Sequence, residues 1–151
     1  MSTAKRHEFA VGLDEYGVLF AEGQSPLAPA PEWTPEHLLM AALARCSMNS
    51  LVYHAKRADR TVAGRITVSA AVTRRDTDGR FAFVEAHVAL DLVITPAPEV
   101  DALIALLKKA ERDCFVGASL TAPPTYAWRI NEEDVETVSP AELLEAQQPD
   151  L

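Results

Sequence analysis

Between residues 7 and 22, Phe9, Val11 and Leu13 alternate with more polar or small neighbours. Val18 and Phe20 resume the alternation after Asp14, Glu15 and Gly17. A period of two interrupted by turn residues predicts a hairpin. Gly23, Pro26, Pro29 and Pro31 then predict a loop or irregular edge segment. From Pro35 the period changes. Leu39, Ala42, Leu43, Cys46, Ser50 and Tyr53 recur at three- and four-residue steps, the stripe of a helix within residues 31 to 60. Thr34 suits the cap, and Pro35 suits the first position, where a missing N–H costs nothing. Glu36 near the start and Lys56, Arg57 and Arg60 near the end carry the signs that the helix dipole favours. Cys46 is thereby expected mid-helix on the buried face, with Thr61 to Gly64 ending the element.

The period of two returns after that helix. Ile66, Val68, Ala70 and Val72 share one face of a long strand. Residues 74 to 80 hold a turn signalled by Asp78-Gly79. Every even position from Ala82 to Ile94 is apolar, whereas Glu85, His87 and Asp91 occupy odd positions, so this strand has one dry face and one wetter face. Residues 95 to 99 break it and open a second helix with the stripe Val100, Leu103, Ile104, Leu107 and Ala110, ending near Arg112. Cys114 starts a segment that reads as a short further helix and stops at Pro123-Pro124. Tyr126, Trp128 and Ile130 alternate as a final strand. The order of elements predicts an α+β fold with two core helices against antiparallel sheets. A single domain over residues 1–132 and an acidic extension over 133–151 complete the expected organisation.

Length and composition narrow the classes. A chain of this size buries roughly 70% of its unfolded surface, so a core forms without metals or disulfides. Hydrophobic residues make up 48%. No apolar run approaches the ~20 residues of a membrane helix, and the N-terminus lacks a signal-peptide core. A cytoplasmic protein with no membrane partner is the expectation. The net charge of −8 argues against nucleic acid, which needs a basic face, and reads as solubility.

The two cysteines carry the most chemistry. In a cytoplasmic chain a structural disulfide is disfavoured, and free cysteines are commonly small core residues. Cys114 lies 68 positions after Cys46, and the two approach if the core helices pack side by side. At the start of a short helix Cys114 would also sit where backbone N–H groups stabilise a thiolate. His37 and His54 lie nine before and eight after Cys46, too far along a helix to act as its base. The four histidines show no zinc-ligand spacing. The segment Gly117 to Thr121 lacks the final glycine of a nucleophile elbow and follows a helix, which excludes a serine hydrolase of that kind.

Pro35-Glu36-His37-Leu38, with Cys46 ten positions after Glu36, resembles the signature of the OsmC/Ohr family. Cys114-Phe115-Val116, followed by Ser119-Leu120, is similar to that family's second cysteine segment, and the element order matches up to about residue 132. The resemblance implies an intertwined homodimer with the long helices at its centre and active sites at the interface. It implies a peroxidase in which Cys46 attacks an organic hydroperoxide, or H2O2, and becomes a sulfenic acid. Cys114 would resolve it to a disulfide, and a dithiol such as a dihydrolipoyl protein or a thioredoxin-like protein would reduce that. Glu36 would assist the thiolate. No metal or organic cofactor is required. The chemistry is coherent in itself, because a second thiol traps a sulfenate before further oxidation.

One departure stands out. The family pairs the glutamate with an arginine from the N-terminal sheet or the following loop, yet no arginine or lysine occurs between His7 and Glu36. Arg6, Arg65 and Arg129 are the substitutes available. Ten helical residues also rise ~15 Å, so Glu36 cannot touch Cys46 within one straight helix. A non-catalytic member that binds a small apolar ligand or a protein at the dimer interface is therefore the competing expectation.

Overall fold

The structure is a computed structural model and describes residues 4–137. It divides into two compact units, Met1–His37 and Leu38–Leu151.

In the first unit, β1 (Gly12–Leu13) pairs antiparallel with β2 (Leu19–Phe20). Asp14 builds the turn between them. Its Oδ1 accepts from the Tyr16 and Val18 N–H groups, both at 2.9 Å, and Gly17 takes a positive φ of 80°. Leu19 exchanges two backbone hydrogen bonds with Leu27. The hairpin predicted over residues 7–22 is present, but each strand has only two residues. Phe9 is 88% exposed and Val11 70%. The alternation there leads to no extended pairing.

The long helix α1 spans Pro35–Arg57. Thr34 Oγ1 accepts from the His37 N–H, and His37 Nδ1 accepts from the Thr34 N–H at 3.2 Å. This is the reciprocal logic of a capping box, with histidine in place of glutamate. The far end closes earlier than predicted. Asp59 adopts φ 56°, the Arg60 N–H returns to the Ala55 carbonyl, and Thr61 already starts a strand. A left-handed residue past the last turn satisfies orphan carbonyls, so Thr61 to Gly64 are not needed as a stop.

The second unit holds a four-stranded sheet in the order β3 (Thr61–Arg74), β4 (Phe81–Thr95), β5 (Thr125–Ile130), β6 (Glu133–Val135). The β3–β4 hairpin turns at Asp78-Gly79, as predicted, with Gly79 at φ 70°. From Ala86 to Ile94 the even residues of β4 are all buried, so the predicted dry face is real. β3 departs from its simple alternation. Ala70 is exposed and Ala71 half-buried, and between Ala71 and Val72 the pairing skips Val84 of β4, with Val72 left exposed. One inserted residue flips every side chain beyond it. Gly64 is required here: a Cβ at φ 143° would sit 2.3 Å from the Asp91 carbonyl oxygen.

Two features correct the purely antiparallel expectation. β5 runs parallel to β4, with Leu90 opposite Trp128. The connection passes through α2 (Val100–Arg112) and α3 (Phe115–Ser119), and a helical crossover returns the chain in the same direction. Nor is β5 the last strand. Asn131 and Glu132 both take positive φ, 51° and 68°, the geometry of a tight two-residue hairpin, and β6 pairs back antiparallel on β5. Asn131 fixes this turn by bonding both the N–H and the carbonyl of Ile94. The acidic segment from residue 133 thus begins inside the sheet, and residues 138–151 lie outside the described residues.

The core lies between the even face of β4, Trp128 and Ile130 of β5, and the inner faces of α1 and α2. Leu43 and Leu51 of α1, Leu107 of α2 and Leu90 and Leu92 of β4 are fully enclosed. On α2, Leu106, Leu107 and Ala110 are buried, whereas Val100 is exposed. On α1 the buried set is Leu43, Ser47, Ser50, Leu51 and Ala55. Tyr53 is 57% exposed and does not belong to the stripe, and Cys46 stands at its edge, half-buried.

Candidate active site

A row of polar side chains on α1 meets the end of α2 and the start of α3. The Ser50 hydroxyl donates to the Ala110 carbonyl at 2.8 Å, satisfying one of the last carbonyls of α2. One turn on, His54 Nε2 contacts Asp113 Oδ2 at 2.7 Å. Arg112 donates to both oxygens of Asp113 at 2.8 and 2.9 Å. The Arg112 guanidinium foremost, with His54, holds the Asp113 carboxyl down to about 2 against the opposing effect of burial. These contacts tie the residue before Cys114 to α1. His54 is therefore a partner of Asp113 inside the chain, which spacing from Cys46 alone did not suggest.

One turn back, the Ser47 hydroxyl lies 3.7 Å from Cys114 Sγ, and the Val116 N–H donates to Cys46 Sγ at 3.5 Å. Both cysteines are free, with Cys114 fully buried and Cys46 half-buried. The two predicted cysteines are thus brought together across 68 residues of sequence. The start of α3 acts otherwise than predicted. The Phe115 and Val116 N–H groups are directed at Cys46, not at Cys114. Cys114 occupies the cap of α3 without a side-chain cap bond, and the backbone that follows turns its first amides toward the α1 thiol.

Competing influences act on Cys46. Burial is the largest and pushes its thiol above the ordinary range. The Val116 N–H pulls it down, Cys114 pushes it up, and the Phe115 N–H pulls it down, with a net upward displacement. No cation of the described residues is among these influences. Arg65 and Arg129 do not supply one within the chain. Both project from the outer face of the sheet, where Arg129 faces Asp91 at 3.9 Å and Asp134 at 3.6 Å. Strand alternation sets them opposite to Trp128 and Ile130. Arg6 pairs with Glu8 in the first unit.

Glu36 stands exposed in the first turn of α1 and belongs to the first unit. Hydrogen bonds from its own backbone N–H and from Thr34 lower its carboxyl below the usual range. Among the described residues, no group of three His, Cys, Asp or Glu side chains is arranged to hold a metal ion, and no helix is long and apolar enough to cross a membrane.

Sequence reasoning missed a half-buried polar group beside the cysteines. Tyr126, read as strand packing, places its ring 5.8 Å from that of Trp128, stacked within 11° of parallel. Its phenol is pushed above its ordinary range, first by burial and then by Cys114, and it interacts with Ser47. The signal for this was weak, because a tyrosine on the dry face of a strand reads like any other core aromatic.

Comparison with known proteins agrees with this architecture. The family model described as OsmC-like protein matches residues 28–129. No curated protein matches the sequence. Among solved structures, an OsmC-like protein of unknown function from Vibrio cholerae aligns with a TM-score of 0.63 and 15% identity, over 84% of this chain and 99% of the other. An organic hydroperoxide resistance protein from Elizabethkingia anophelis aligns at 0.53 and 17% identity, over 83% and 95%. The organic hydroperoxide resistance protein OhrB of Bacillus subtilis aligns at 0.50 and 16%, over 82% and 96%. At these identities the structures share the fold, and the family model matches most of the chain: the protein belongs to the OsmC-like family.

Proposed function

We propose that this protein is a thiol-dependent peroxidase that reduces organic hydroperoxides through Cys46 and Cys114. The observation that carries the reading is the convergence of two free cysteines at one point, with the Val116 N–H on the Cys46 sulfur. The Cys46 thiolate attacks the distal peroxide oxygen, the O–O bond breaks, and the alkoxide leaves to be protonated as the alcohol. Cys46 is then a sulfenic acid. The Cys114 sulfur attacks the Cys46 sulfur, a disulfide forms, and the hydroxyl leaves as water with the Cys114 proton. A dithiol of the dihydrolipoyl or thioredoxin type restores both thiols by exchange. The half-buried Leu39 on α1 and the largely exposed Phe115 supply apolar side chains that suit an organic peroxide.

The active form on this reading is a homodimer. Phe9, Val11, Leu13 and Tyr16 of the first unit are all strongly exposed in the single chain, an apolar surface that a second copy would cover. Glu36 is assigned an assisting role at the thiolate within that dimer, and a cationic partner for Cys46 would also come from the assembly.

A second reading has its own observation. The upward displacement of Cys46, with no cation among the described residues acting on it, suits a non-catalytic dimer that binds an apolar ligand or a protein. Steady-state turnover with dihydrolipoamide as reductant separates the two. The peroxidase reading predicts repeated consumption of cumene hydroperoxide, faster than of H2O2. Absence of turnover with either peroxide favours the binding reading.

A further inference from the structure

Three side chains meet at the inner end of the thiol pair. Cys114 Sγ is fully buried, Ser47 Oγ lies 3.7 Å from it, and the Tyr126 hydroxyl interacts with both. Gly117 leaves the space that makes this possible. A Cβ there would meet the Tyr126 hydroxyl oxygen at 3.2 Å, Pro124 Cγ at 3.2 Å and Cys114 Sγ at 3.4 Å. The glycine lets the phenol and the sulfur share one small volume. The ring is held in place by its stack on Trp128, and Trp128 Nε1 donates to Glu111 Oε1 at 2.8 Å. A phenol is protonated at neutral pH in any case, and burial raises it further, so Tyr126 is a hydrogen-bond donor there.

A buried thiol must give up its proton before its sulfur attacks a sulfenic acid, and the resulting thiolate is charged in a medium that opposes it. Fixed hydroxyl donors offset that cost without themselves taking or giving up charge. We propose that the Tyr126 and Ser47 hydroxyls stabilise the Cys114 sulfur as it attacks the Cys46 sulfenic acid, and so set the rate of disulfide formation. This rests on the peroxidase reading and assigns two further residues to its second step. No additional reactant enters: the S–S bond forms, the Cys46 S–O bond breaks, and water carries away the oxygen and the Cys114 proton. The two hydroxyls stay protonated throughout.

The test follows both steps in the full-length protein. Reduced wild type, Tyr126→Phe and Ser47→Ala are mixed with one equivalent of cumene hydroperoxide and quenched over time. The sulfenic acid is trapped with a dimedone reagent, and the disulfide is read by intact mass. Tyr126→Phe is expected to form the sulfenic acid at the wild-type rate and to close the disulfide roughly tenfold more slowly or worse, the loss of one donor to the thiolate. Its second phase is expected to reach half its maximum at a higher pH than wild type. Ser47→Ala acts in the same direction with a smaller effect. A core merely loosened by the substitution would leave that pH midpoint in place. Disulfide closure in Tyr126→Phe at the wild-type rate and midpoint overturns the proposal while leaving the peroxidase reading intact. Absence of any Cys46 oxidation in the wild type overturns that reading, and the resolving step with it.

Discussion

Cys46→Ser is expected to lower peroxide turnover by at least about 10³-fold, equivalent to ~4 kcal/mol of transition-state stabilisation. Serine keeps the shape of the half-buried site, but its hydroxyl cannot form a sulfenic acid, so the first step has no substitute. Cys114→Ser is expected to behave differently. The Cys46 thiol still meets the peroxide, and the Val116 N–H that contacts its sulfur is a backbone group that the substitution leaves in place. One equivalent of peroxide is consumed, and the unresolved sulfenic acid then oxidises further with excess peroxide to the sulfinic acid. Coupled turnover measures the first outcome, and single-turnover consumption with peptide mass mapping measures the second. Sustained multiple turnover by the Cys46 variant would contradict the assignment of the nucleophile.

The second large effect concerns the platform on which the pair is built. Leu107 lies at 0% exposure between α1 and the sheet. Leu107→Ala removes buried methyl and methylene groups and leaves a cavity, a change that costs about 2–5 kcal/mol. A domain of this size has roughly 5–15 kcal/mol in total, so the variant is expected to lose a large share of its stability. Urea denaturation should show a lower midpoint at unchanged slope. Because α2 leads directly into Cys114, the same variant should also close the disulfide less efficiently under conditions where it remains folded. A midpoint within experimental error of wild type would mean that the α2 contact is not part of the stabilising core.

The parts of the fold visible in the sequence are those governed by local rules. Thr34-Pro35 opened a long helix because capping and N1 chemistry act over one turn. Asp78-Gly79 marked a hairpin because positive φ is demanded there. The even residues of β4 announced a dry face through simple alternation. What escaped was set by pairing between distant segments. Alternation in Tyr126, Trp128 and Ile130 fixes a face but not a direction, so the parallel pairing of β5 on β4 was invisible. The turn into β6 uses Asn131-Glu132, without the glycine that usually flags such a hairpin, and its strand is acidic. Small residues on both sides of α1 blurred its rotation, which is why Cys46 was expected mid-stripe while Ser47 is the one enclosed.

The site was legible to a similar depth. The resemblance of the segments around Glu36, Cys46 and Cys114 to the OsmC/Ohr signature raised the chemistry, and the structure brings the two cysteines together. The direction of the α3 amides, toward Cys46 and away from Cys114, depends on how a five-residue helix docks, which no local pattern encodes. The His54–Asp113 contact and the Tyr126–Ser47–Cys114 cluster likewise join residues far apart in sequence.

The most direct test of the central claim is the intact mass of the reduced wild-type protein through a time course after one equivalent of cumene hydroperoxide. A working pair loses two hydrogens as Cys46 and Cys114 join, and a dithiol reverses the change. An unchanged mass, or a stable added oxygen with Cys114 still a free thiol, would contradict it.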